Sequence, residues 1–168
     1  MNMDIHTNHL NVLLLYGRVT SAKRAKEFCD RLKNQLAPEC EMKLSLWSLA
    51  SLQLPDMARA AARIAEDAEL MIVAVNGNNA LPRTVMNCLN WCVREVRARE
   101  GALLAQLNGV LKTDEKTCPA YDCLRDIAFQ CGLRFFSQVV ELPDQEETSP
   151  WIVSPSPVAQ GLYAEVNA

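Results

Sequence analysis

Histidine is nearly missing from this chain: His6 and His9 are its two, both close to the amino terminus. A Ser-His-Asp or Cys-His hydrolase needs an imidazole base beside its nucleophile. That base would have to come from the leading segment, so hydrolase chemistry of this kind is not expected. Long hydrophobic runs are missing too, and no stretch approaches the roughly 18 apolar residues of a membrane span. The residues before the first apolar run, Asp4, His6 and His9 among them, lack the basic flank of a signal peptide. A cytoplasmic chain with no membrane partner is the resulting expectation. There is no surplus of positive charge: the net charge is -3 and the isoelectric point about 5.4. A nucleic-acid partner therefore has no electrostatic support. Neither a Walker loop nor a dinucleotide-binding glycine fingerprint is present, and there is no internal repeat.

Cysteine, by contrast, is plentiful. Cys29, Cys40, Cys88, Cys92, Cys118, Cys123 and Cys131 make seven, an odd number scattered mostly through apolar segments. None has paired Cys-x-x-Cys spacing, which argues against structural zinc even though Cys88 and Cys92 lie four apart. Reduced thiols packed as small hydrophobes are the better reading, with Cys29, Cys88, Cys92 and Cys131 expected to be buried.

With 168 residues, of which 49% are hydrophobic, the chain is long enough for one domain with a substantial core. Five apolar runs stand out: Asn11–Tyr16, Glu41–Leu49, Leu70–Val75, Ala102–Leu107 and a stretch within Arg134–Leu142 centred on Phe135–Val140. Between them apolar residues recur in steps of three and four, the mark of helices with one buried face. The first such set is Ala25, Phe28, Cys29, Leu32 and Leu36. Pro55 begins the second helix, with Met57, Ala61, Ile64, Ala65 and Ala68. Pro82 opens the third in a favoured first-turn position, with Val85, Leu89, Cys92, Val93 and Val96. The same stripe is expected to take Trp91 into the core. Leu124, Ile127, Ala128 and Cys131 mark the fourth helix, which Gly132 ends.

Strands alternating with helices predict an α/β three-layer sandwich: a five-stranded parallel sheet with helices on both faces. The order 2-1-3-4-5 places a ligand crevice beyond strands one and three. The domain is expected over residues 1–142, with 1–9 as a flexible lead. Residues 143–168 form a tail whose Trp151, Ile152, Leu162 and Tyr163 suit an arm packed on its own domain or on a partner.

Two loops draw attention. Gly17-Arg18-Val19-Thr20-Ser21-Ala22-Lys23-Arg24 follows the first strand and is rich in basic side chains, though a helix start favours acidic ones. A phosphate held by backbone N–H groups, Arg18, Thr20 and Ser21 would resolve that conflict. Alternatively, Thr20 or Ser21 caps the helix and the cations face water. Asn76-Gly77-Asn78-Asn79 follows the third strand. It offers amides to the edge of a planar ring, or it is a tight connection in which Gly77 and an asparagine take positive φ.

These landmarks resemble the NADPH-dependent FMN reductases, a flavodoxin-like family. In that family a Ser/Arg-rich phosphate loop follows the first strand. An Ala-Asp segment, an apolar strand and a Pro-Glu-Tyr-Asn-Gly-Ser-Ile-Pro loop come later, before a helix with Lys-Asn and Asp-Trp. Here the corresponding stretches are Gly17–Arg24, Asp67-Ala68-Glu69, Leu70–Val75, Asn76–Pro82, Asn87 and Asn90-Trp91. The likeness spans roughly residues 10–142. It implies FMN held by Gly17, Arg18, Thr20, Ser21, Asn76, Gly77, Asn78 and Asn79, NADPH as electron donor, and a homodimer. The departures are a shorter phosphate loop, Gly77 in place of an aromatic, and Met86 and Asn90 in place of Lys and Asp. Asn108–Asp114 retains one glycine of a glycine-rich loop. Two functions follow: an FMN-dependent NAD(P)H oxidoreductase, or a flavodoxin-like module that has lost FMN and acts by binding or dimerisation.

Overall fold

The computed structural model describes residues 8–96 and 101–141. Five strands, β1 (Asn8–Tyr16), β2 (Cys40–Ser48), β3 (Leu70–Asn76), β4 (Ala102–Asn108) and β5 (Arg134–Val140), pair in parallel in the order 2-1-3-4-5. Four helices connect them: α1 (Val19–Gln35), α2 (Pro55–Asp67), α3 (Arg83–Val96) and α4 (Pro119–Gln130). This is the flavodoxin-like arrangement that the sequence predicts. No helix among the described residues is long and apolar enough to cross a membrane.

Strand alternation sends successive side chains to opposite faces. Leu13, Leu15, Met71, Val73, Val75, Leu103, Ala105 and Leu107 face one side, where Ala61, Ala65, Val85, Leu89, Leu124 and Ile127 from α2, α3 and α4 cover them. Val12, Leu14, Tyr16, Ile72, Ala74 and Leu104 face the other, where Ala22, Ala25 and Cys29 of α1 cover them. Three helices thus cover one face and a single described helix covers the other.

Several elements differ from the sequence reading, each for a physical reason. β1 starts at Asn8, and its first residues pair with Cys40–Lys43 of β2, whereas β3 joins β1 only from Val12. This overhang is flanked on one side alone, so it needs no continuous apolar run, and it includes Asn8 and His9 from the expected lead. α3 begins at Arg83; Pro82 precedes it and accepts the Met86 N–H at 2.9 Å, as the residue before a first helical turn does. Trp91 is 41% exposed, not core. At about 100° per residue it lies across the helix from Val85, Leu89, Cys92 and Val93, all buried. The looser segment before α4 contains a 3-10 turn, Lys112–Thr117. Cys29, Cys92 and Cys131 are buried, but Cys88 is only half-buried, and its thiol donates to the Leu52 carbonyl at 3.0 Å. No disulfide joins any of the seven cysteines. The Val96 side chain and residues 142–168 lie outside the described part.

Candidate functional site

The carboxyl ends of β1 and β3 flank the reversal of strand order, where open α/β sheets form their ligand crevice, and β4 lies next to β3. The β1–α1 connection is very short. β1 ends at Tyr16 and α1 starts at Val19, so only Gly17 and Arg18 lie between them. The Gly17 N–H donates to the Ala74 carbonyl at 2.9 Å, which fixes the turn to β3. Arg18 is the N-cap, in extended conformation, and makes no side-chain cap hydrogen bond. Neither Thr20 nor Ser21 is therefore the cap; both fall within the first turn. The Ser21 side chain is fully buried and its hydroxyl has no hydrogen-bond partner among the described residues. Ser21 therefore faces the sheet, and Arg18 and Thr20 are the half-exposed side chains at this helix start. The first turn has no acidic residue, whereas α2 has Asp56 and α4 has Asp122 there.

The β3–α3 loop is bound to the loop after β4. Gly77 donates its N–H to the Asn108 carbonyl at 3.0 Å, and its own carbonyl accepts from the Ala120 N–H at 3.4 Å. The Asn76 side-chain oxygen accepts the Asn78 N–H at 2.9 Å, an Asx turn, and Asn78 donates its side-chain amide to the Gly109 carbonyl at 2.8 Å. Asn79 is exposed. Gly77 is buried, and a Cβ there would collide with Val110 and press on Leu107 at 3.2 Å. The glycine is needed for close approach. The positive φ expected at Gly77 belongs instead to Gly109, at 74°.

The structure thus joins Asn76, Gly77 and Asn78 into one closed contact and leaves Gly17, Arg18 and Thr20 at the adjacent helix start. This arrangement does not fit a flavin in the expected place. The amides that would meet the ring edge hold the two loops together, no aromatic side chain replaces the missing stacking residue in the loop, and the Ser21 hydroxyl is turned away. A two-residue turn also gives few of the convergent N–H groups that cradle a phosphate.

Beside the crevice lies a polar cluster that sequence reasoning missed. Gln106 and Asn108 of β4 are fully buried on the α1 face. Gln106 donates to the Ser21 carbonyl at 3.3 Å and accepts from Gln138 of β5 at 3.1 Å. Asn108 donates to the Val75 carbonyl at 3.2 Å and accepts a long contact from Arg24 at 3.5 Å. The available signal was Gln106 itself, a polar residue inside an otherwise apolar strand, but its partner Gln138 lies 32 positions away. On the opposite face Glu115, also buried, accepts from the Ser137 hydroxyl at 2.6 Å and pairs with Lys112 at 3.4 Å. These bonds fasten the 3-10 turn to β5.

Three of the thiols, Cys29, Cys88 and Cys118, are poorly placed for reaction. Burial, followed by the nearby Asp30 carboxylate, pushes Cys29 up to about 11. Burial also raises Cys88 and Cys118. The thiolate is the nucleophilic form, so shifts in this direction suppress reactivity at neutral pH.

No protein-family model matches this chain, and no curated protein matches it. Among solved structures it is similar to the crystal structure of TesA, with a TM-score of 0.41 at 16% identity over 92% of this chain and 94% of that one. It is also similar to the crystal structure of drICE, with a TM-score of 0.35 at 12% identity over 99% and 76% respectively. Likenesses this distant carry no functional argument.

Proposed function

We propose that this chain is a flavodoxin-like binding module without redox chemistry. The observation that carries the reading is the closed contact between the β3–α3 and β4–α4 loops, with Gly77 packed against Leu107 and Val110 and Asn78 bound to Gly109. A flavin ring placed there would have to separate them, breaking hydrogen bonds worth about 0.5–1.5 kcal/mol each and exposing apolar surface. The test is a visible absorption spectrum of the purified protein, taken before and after gel filtration with added FMN. A colourless protein that does not retain FMN is expected. Flavin bands that co-elute with the protein would overturn the reading.

A second reading, an FMN-dependent NAD(P)H oxidoreductase working as a homodimer, is favoured by one feature. α1 starts without a side-chain cap or an acidic first turn, and Arg18 stands at its head, which suits an anion. In that case the flavin would carry the hydride chemistry, while Arg18, Thr20 and the backbone of the first turn would orient its phosphate. NADPH consumption that depends on added FMN and falls with Arg18→Ala would support this reading over the first.

A further inference from the structure

Among the described residues, α1 alone covers its face of the sheet and closes only part of it. β5 presents Arg134, Phe136, Gln138 and Val140 to this side, in register with Ala102, Leu104, Gln106 and Asn108 of β4. α1 buries Leu104, but Phe136 remains 53% exposed. Between α1 and β5 runs a groove of about 440 Å3, lined by Arg24, Glu27, Arg31, Gln106, Gln138 and Val140. Its walls carry two arginines against one carboxylate, and Arg134 lies on the same face of β5.

We propose that residues 142–168 of this same chain dock in that groove, with Trp151, Ile152 and Val153 against Phe136 and the acidic Asp144, Glu146 and Glu147 beside Arg24 and Arg31. Three observations on the chain select this occupant. First, the segment starts where the groove does: β5 ends at Val140, and Val140 lines it. Running back along a seven-residue strand takes roughly seven extended residues, about 23 Å, and the segment is far longer than that. Second, the charges are complementary. Residues 142–168 hold four carboxylates, Asp144, Glu146, Glu147 and Glu165, and no lysine or arginine. Third, the segment is apolar where the groove needs cover, and Pro143, Pro150, Pro155 and Pro157 favour an extended arm over a helix. A short tether gives such an arm an effective concentration in the millimolar range, well above that of a second copy at ordinary protein concentrations.

Amide hydrogen exchange on the full chain tests this. In the parent, amides of residues 151–153 should exchange at least ~10-fold more slowly than in an unstructured peptide, equally at low and high protein concentration. Phe136→Asp should abolish that protection, and Arg31→Glu should cut it several-fold, with exchange in β1, β3 and β4 unchanged. Should Phe136→Asp disturb the sheet, Arg31→Glu on the exposed surface of α1 carries the test alone. Unprotected amides in the parent, or protection that both variants leave intact, would overturn the proposal. Protection that grows with concentration alongside a dimeric mass would also overturn it, in favour of a second copy.

Discussion

The closed crevice at the carboxyl ends of β3 and β4 and the open groove beside α1 are built from the same sheet and finished in opposite ways. At the crevice, backbone and side-chain amides of Asn76, Gly77, Asn78, Asn108 and Gly109 satisfy one another, and apolar atoms of Leu107, Val110 and Cys118 close in behind them. Along the groove, arginines and glutamines line a trough with an exposed phenylalanine on the same face. A flavodoxin-like sheet usually binds where its strand order reverses. Here the reversal lies between β1 and β3, the loop on its β3 side is tied to the loop after β4, and the open groove lies on the flank beside α1. Shared topology therefore fixes where a crevice forms, while a few loop residues decide whether it stays open.

The strongest way to break this comparison is to wedge the seal. Gly77→Ala puts a methyl group against Val110 and Leu107, and overpacking of this kind costs about 1–3 kcal/mol. Urea denaturation of parent and variant measures it. A cost near zero would mean that the loops already separate easily.

The sequence disclosed the sheet and its order because each strand carries its own signal. Leu70–Val75 and Asn11–Tyr16 are continuous apolar runs, which burial on both faces of a parallel strand requires. The state of the crevice was not legible in that way. Asn76-Gly77-Asn78-Asn79 suits an open ligand loop and a closed one equally, because the deciding partners, Asn108, Gly109 and Val110, lie some thirty positions on. Trp91 misleads for a narrower reason: it falls within a generally apolar helix but far from the angular centre of the buried stripe formed by Val85, Leu89, Cys92 and Val93. Ser21 looked like a ligand donor because a serine at a helix start usually meets solvent or a cap, whereas the two-residue turn draws this one under the helix.

Removing one fastening bond should have a smaller effect than the wedge. Asn78→Ala deletes the amide that holds the Gly109 carbonyl and should cost about 0.5–1.5 kcal/mol. The same denaturation experiment reads it, and Gly77→Ala should remain the more damaging of the two.

Alkaline pH probes the dry interior under α1. An unfolded cysteine ionises near its ordinary value of about 8.5, whereas Cys29 in the fold is pushed up to about 11. The folded state holds its proton more tightly. This contribution is therefore fully present below the ordinary thiol range and is lost as the pH rises through that range toward 11, at no more than ~1.4 kcal/mol per pH unit. Stability measured across that window should fall more steeply in the parent than in Cys29→Ala. Parallel curves would mean that water reaches the thiol.

The account rests on the crevice being closed to flavin, and amide NMR during an FMN titration reports on it residue by residue. The account predicts that the signals of Gly77, Asn78, Gly109 and Val110 hold their positions up to about 1 mM FMN, a concentration at which even binding as weak as about -4 kcal/mol would register. Saturating shifts concentrated on those four residues would contradict it and favour the flavin-dependent reading.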